Sequence, residues 1–207
     1  KIKFNSIKEP INQWIFNEYI ETQRLVSKNI EDFRFDEAAK KVYQFVWHSY
    51  CDWYLEFLKP ILNSKNKKDI NEVRFYSSFI MANILKILHP FIPFFTEFLW
   101  SKNKYKSIFK ENLISSSWPH HKIENKFKKN QNNVNNLIEL ITSIRATKAE
   151  LKITPKLFCD ISFSEKTGDL QKIVSSNLDL VQQVGRVNKI LKNKTYDKNT
   201  IDILVLK

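Results

Sequence analysis

The side chains of this 207-residue chain best suited to chemistry are its cations and the aromatic rings beside them. Arg24, Lys28, Arg34, Arg74, Lys102 and Lys104 fall at expected helix ends or in loops, next to Phe, Tyr or Trp. That pairing suits RNA, whose phosphates attract Lys and Arg and whose unstacked bases lie on aromatic or guanidinium planes. For each of these residues the alternative is an ordinary solvated face. Metal chemistry has a weaker case. His48-x-x-Cys51 puts two ligand types on adjacent helical turns and His120-His121 supplies others, but the second cysteine pair of a zinc site is missing, so no metal site is assigned. No catalytic residue is assigned either, because no Ser/His/Asp or Cys/His relay can be read from spacing alone. With only Gly168 and Gly185 in the chain, a glycine-rich phosphate loop is not expected.

Helices must position these groups. Pro10 suits a first helical turn, and Ile11, Trp14, Ile15, Tyr19, Val26 and Ile30 trace one face to the end of a first helix. A second runs from Phe35 to about Leu62. Its stripe of Phe35, Ala38, Ala39, Val42, Phe45, Val46, Tyr50, Trp53, Tyr54 and Phe57 calls for burial in a bundle. Asp69 is the expected N-cap of a third helix that stops at His89, before Pro90. A short fourth covers about Ile92 to Trp100, followed by the basic loop Ser101 to Lys106, and a fifth covers about Glu124 to Leu151. After Pro155 the period drops to two, giving a strand through Leu157, Cys159, Ile161 and Phe163. A helix from about Gly168 to Val184 and strands at 187–191 and 201–206 then complete a small mixed unit. The fold class expected is mainly α: a five-helix bundle over 1–154, followed by a small α/β subdomain over 155–207.

Composition agrees. A chain of this length with 43% hydrophobic residues can bury roughly 70% of its unfolded surface, and two Gly with six Pro favour long helices. Cys51 and Cys159 read as buried free thiols. No apolar run approaches the roughly 20 residues that span a bilayer and no leader pattern opens the sequence, so a cytoplasmic location is expected and the Asn193-Lys194-Thr195 sequon is discounted. A net charge of +12 points to nucleic acid or an anionic surface, although a Lys- and Asn-rich composition also follows from base bias.

Two strings add a family resemblance. Arg34-Phe35-Asp36-Glu37-Ala38-Ala39, then Trp47 and Cys51-Asp52-Trp53-Tyr54-Leu55-Glu56, closely resembles the anticodon-binding helical domain of valyl-tRNA synthetases, class I aminoacyl-tRNA synthetases. Leu88-His89-Pro90-Phe91-Ile92-Pro93-Phe94-Phe95-Thr96-Glu97-Phe98-Leu99-Trp100 resembles the same family's second signature. Gln13-Trp14-Ile15 and Ser117-Trp118-Pro119 keep the register, and the likeness runs from Trp14 to about Thr154. The isoleucine and leucine enzymes share the second block loosely; the Cys51–Glu56 string favours valine over them.

The resemblance implies that one end of the bundle receives the anticodon stem-loop of valine tRNA. Ile144-Arg145-Ala146-Thr147-Lys148-Ala149-Glu150 is similar to the family's Ile-Arg-x-x-Arg-Ala-Glu string, which adds Arg145 and Lys148 to the candidates. Lys148 keeps the charge of the second Arg but loses its bidentate fork; an ion pair with Glu150 is the structural alternative for Arg145. The family's His-Ile-Gly-His and Lys-Met-Ser-Lys-Ser type sequences are absent from this sequence, so it is not expected to be catalytic alone. It reads as a piece of a larger ligase, monomeric and without a cofactor of its own, whose parent uses ATP and Mg and supplies the catalytic domain as a partner in the same chain. The competing reading is an α-helical protein-interaction module with a basic surface, which needs an exposed apolar stripe. By sequence, Trp53 and Trp100 are packing anchors rather than base-stacking platforms.

Overall fold

The computed structural model describes residues 7–121, 127–163, 168–191 and 201. The chain divides into two compact units, Lys1–Lys128 and Lys129–Lys207. In the first, α1 (Pro10–Glu31) opens on the predicted proline. The second predicted helix is continuous but not uniform: α2 (Phe35–Gln44) passes into a π-helical stretch (Phe45–Tyr54) and then α3 (Leu55–Leu62), which carries Pro60 within it rather than ending there. The backbone N–H of Leu55 donates to the carbonyl of Tyr50, five residues back, as a π turn requires. The wider turn explains why consecutive buried positions step from Phe45 to Tyr50, leaving Val46 and Trp53 half-buried and Trp47 exposed.

Next come α4 (Lys67–Leu88) and α5 (Pro93–Lys102). The cap of α4 is Asn66, whose side chain accepts from the Lys68 N–H, not the expected Asp69; Asp69 instead accepts from the Asn66 amide at 2.6 Å. Inside the loop expected after α5, Lys104 adopts a left-handed backbone (φ 62°) and starts a short α6 (Tyr105–Phe109).

Hydrogen bonds fix the directions. Glu72 Oε1 accepts the N–H groups of Lys8 and Glu9 at one end of α1, and the Tyr19 hydroxyl donates to Asn83 Oδ1 further along, so α1 and α4 run parallel. The α2–π–α3 rod runs back between those levels, with Phe45 beside Tyr19 and the Tyr54 hydroxyl on Asn12 Oδ1. α5 also runs back, since the Tyr105 hydroxyl donates to the Ser78 carbonyl at 3.0 Å. The core holds Ile15, Phe16, Tyr19, Tyr54, Phe57, Ile80 and Ile87, all essentially inaccessible.

The signature around His89 is largely structural. Thr96 Oγ1 donates to the Ile92 or Pro93 carbonyl and lies 2.8 Å from His89 Nδ1. Glu97 accepts the N–H groups of Leu113 and Ile114, and buried Trp100 donates to the Glu111 carbonyl, confirming it as a packing anchor.

The second unit contains α7 (Lys128–Glu150), β1 (Cys159–Ser162), α8 (Gly168–Ser176), α9 (Leu178–Gly185) and β2 (Val187–Leu191). β1 and β2 pair in parallel, as expected of strands joined by a helical crossover. Leu137, Leu140 and Ile144 of α7 form one core with Leu170, Val174, Val181 and Val187. The predicted single helix from Gly168 is interrupted at Asn177, and the strand expected at 201–206 lies outside the described residues apart from Ile201. Cys51 and Cys159 are free but only half-buried, so the expected full burial is corrected. Among the described residues no helix is long and apolar enough to cross a membrane.

Candidate nucleic-acid interface

The packing directions sort the candidate cations into groups that the sequence could not separate. Arg24 and Lys28 lie one turn apart on α1, and Arg34 precedes α2, so all three sit at the α1–α2 corner. That corner is balanced in charge. Between Glu21 and Lys41 the cations Arg24, Lys28, Arg34, Lys40 and Lys41 face an equal number of carboxylates: Glu21, Glu31, Asp32, Asp36 and Glu37. Arg24 is engaged bidentately by Glu21 (2.7 and 3.0 Å), which holds the Glu21 carboxyl below its usual range, and Arg34 lies 3.5 Å from Glu37.

The opposite part of the unit, from the middle of α4 to its start, is basic. Lys59, Lys65, Lys67, Lys68 and Arg74 are all exposed; Lys59 is paired with Glu56, and Glu9, Asp69 and Glu72 lie at the same end. Tyr105 ties the α5–α6 corner to this half of α4 through Ser78, and the segment from Lys102 to Lys110 adds Lys102, Lys104, Lys106 and Lys110 without a carboxylate. Lys102 Nζ lies 5.6 Å from the Phe98 ring centroid. Lys106 and Lys110 line an open polar cleft with Ser107, Glu111, Asn112 and Ser115. Exposed cations drawn from three elements, with hydroxyl and amide donors between them, are what a sugar–phosphate backbone binds.

Arg74, Lys102 and Lys104 are therefore brought into one field, apart from Arg24, Lys28 and Arg34. Sequence reasoning passed over Lys65, Lys67 and Lys68 as loop residues; the available signal was their clustering in the loop before an asparagine-capped helix. Arg145 and Lys148 belong to the second unit. Arg145 donates to the Val184 carbonyl at 3.1 Å, and Lys148, 7% exposed, donates to the carbonyls of Leu157 (2.8 Å) and Arg186 (3.3 Å). Those bonds fasten α7 to the turn between α9 and β2. His48 Nδ1 faces Asp52 at 3.4 Å, and among the described residues no group of three His, Cys, Asp or Glu side chains is placed to hold a metal ion.

The family model for the anticodon-binding domain of tRNA ligases matches residues 12–163. The chain belongs to this family. Its relatives include the valine–tRNA ligases of Pelagibacter ubique (43% identical over 195 residues, 94% of this chain and 22% of the relative), Zymomonas mobilis (39% over 162 residues, 74% and 18%) and Rhizobium meliloti (32% over 196 residues, 94% and 20%). The chain thus spans about a fifth of the length of the curated relatives it matches. An anticodon-binding domain is a tRNA-binding domain.

Proposed function

We propose that the chain binds valine tRNA through the basic half of its first unit and holds it for aminoacylation by a catalytic domain of the same ligase chain. The observation that carries this reading is the uneven distribution of charge: in the field around Arg74, Lys102 and Lys104 the nine cations of segments 59–74 and 102–110 stand against the carboxylates Glu9, Glu56, Asp69, Glu72 and Glu111, whereas the α1–α2 corner is neutral. Lys65, Lys67 and Lys68 join the first group in holding phosphates, and the bases of the loop are read at their edges. Arg24, Lys28 and Arg34, each beside carboxylates, contribute less, and Arg145 and Lys148 act by shaping the second unit. The division into an anticodon-binding bundle over 1–154 and an α/β subdomain over 155–207 belongs to the same proposal; the change from α7, ending at Glu150, to strand pairing at Cys159 favours it, whereas the compact units divide at 128/129 and α7 shares its core with α8, α9 and β2. In this reading the protein works as a cytoplasmic monomer, and ATP and Mg act in the catalytic domain.

The test is fluorescence anisotropy with valine tRNA, isoleucine tRNA and a valine anticodon mutant at two salt concentrations. Selective binding that weakens steeply with salt is expected. Equal affinity for all three RNAs sinks the anticodon reading, and affinity indifferent to salt sinks the phosphate contacts.

A further inference from the structure

The first unit also carries a surface that RNA binding leaves unexplained. An apolar groove of about 150 Å³ is lined by Val42, Tyr43, Val46 and Trp47 of the α2–π rod and by Leu88 and Phe91 at the α4–α5 junction. Tyr43 and Trp47 stack with their planes 3° apart, yet are 60% and 54% exposed. Phe94, just beyond the junction, is 91% exposed, and Phe95 and Phe98 are more than half exposed. Scattered exposed apolar residues are ordinary, but a groove lined by the rings of Tyr43, Trp47 and Phe91, with further exposed rings on α5 after the junction, has the make-up of a binding surface.

We propose that this groove seats the first unit on the remaining body of a ligase of the relatives' length, and that an apolar segment of that body fills it. The inference rests on the tRNA-ligase reading above. Two observations select this occupant. No Lys or Arg lines the groove, so a phosphate backbone finds no partner there, while the cations suited to one gather elsewhere on the unit. The chain amounts to about a fifth of each matched relative, so four-fifths of such a ligase must attach to it, and interfaces between domains of one chain typically bury about 600–1,500 Å². The rigid stacked pair suits that role, because its rings are held together before the partner arrives and little freedom is lost on docking.

The experiment exchanges the matched segment of the P. ubique ligase for this chain and compares the intact chimera with the chain alone by hydroxyl-radical footprinting. Tyr54 and Phe57, inaccessible in the structure, report folding in both. Oxidation of Tyr43 and Trp47 at least fivefold slower in the chimera, with no tRNA present, is the expected result. Equal oxidation overturns the proposal. So does protection seen only when tRNA is added, which makes the groove an RNA surface, or protection in the isolated chain that rises with concentration and dimer mass. Protection in the isolated chain at every concentration assigns the groove to another part of the same chain and also overturns it. A Trp47→Ser, Phe94→Ser variant supplies a second reading: its unfolding midpoint should fall by several degrees in the chimera and stay unchanged in the isolated chain, and equal shifts in both count against the proposal. Loss of tRNA protection at Lys67 and Lys68 in lysine acetylation would defeat the RNA reading without touching these outcomes.

Discussion

The Tyr54 hydroxyl donates to Asn12 Oδ1 at 2.8 Å, and the Asn12 amide passes the contact on to Glu72 Oε1 at 3.2 Å. This relay joins the end of the π-helical stretch to the starts of α1 and α4, inside a core where Tyr54 is inaccessible to solvent. Tyr54→Phe keeps the ring and removes the donor, stranding a buried acceptor. We expect a loss of about 1–3 kcal/mol in urea unfolding. An unchanged midpoint would mean that the relay holds nothing together.

His121 gives the first unit a pH dependence. Its ring lies among Phe16, Tyr19 and Phe79, its backbone N–H donates to Gln23 Oε1, and ring Nε2 is 3.4 Å from Asn83 Oδ1. Burial, then the nearby charges of Lys86 and His120, push its pKa below the ordinary value of 6.5. The folded state therefore binds the proton more weakly than the unfolded state. The stabilisation is complete above pH 6.5 and is lost as the pH falls from there towards the depressed folded value. Subtracting the stability profile of His121→Gln from that of the wild type should isolate this slope, and identical profiles would refute it.

Lys148 is expected to matter for stability before it matters for RNA. Replacing it by Met takes the Lys148 donor from the Leu157 carbonyl and leaves the Arg186 carbonyl with the Cys159 N–H, at a cost of about 1–3 kcal/mol. Hydrogen exchange should quicken in β1, α9 and β2 while α1 and α4 keep their protection. Affinity for tRNA, measured where the variant is folded, should be unchanged.

Neutralising Lys65, Lys67 and Lys68 together to Gln should weaken tRNA binding and flatten its salt dependence. Each lost phosphate contact lowers the slope of log affinity against log salt by about 0.7–0.9. Arg24→Gln, at a site already neutralised by Glu21, should change the slope little. The reverse order would move the RNA to the α1–α2 corner.

The helices around Trp14, Val42, Ile80 and Leu137 were legible because their stripes repeat every three or four residues, and the strand at Cys159 because its period changes to two. The π stretch was not, since a five-residue step from Phe45 to Tyr50 looks like one irregular interval in an otherwise helical pattern. Asn66 displaced Asp69 as a cap because both residue types suit that position and only the observed bond decides between them. The division of cations into a neutral corner and a basic half depended on α1 and α4 running parallel and α5 running back, a fact of packing that no local pattern carries. Likewise, Trp47 and Phe94 were counted towards signatures, and only the assembled bundle leaves them uncovered.

A body with its positive charge at one end and an uncharged, aromatic surface elsewhere is an electric dipole in solution. A polyanion approaching the first unit turns it before touching it, so the rate of encounter, more than the lifetime of the complex, should fall as ionic strength rises. Stopped-flow kinetics would then register the uneven placement of the lysines as a salt-sensitive association constant.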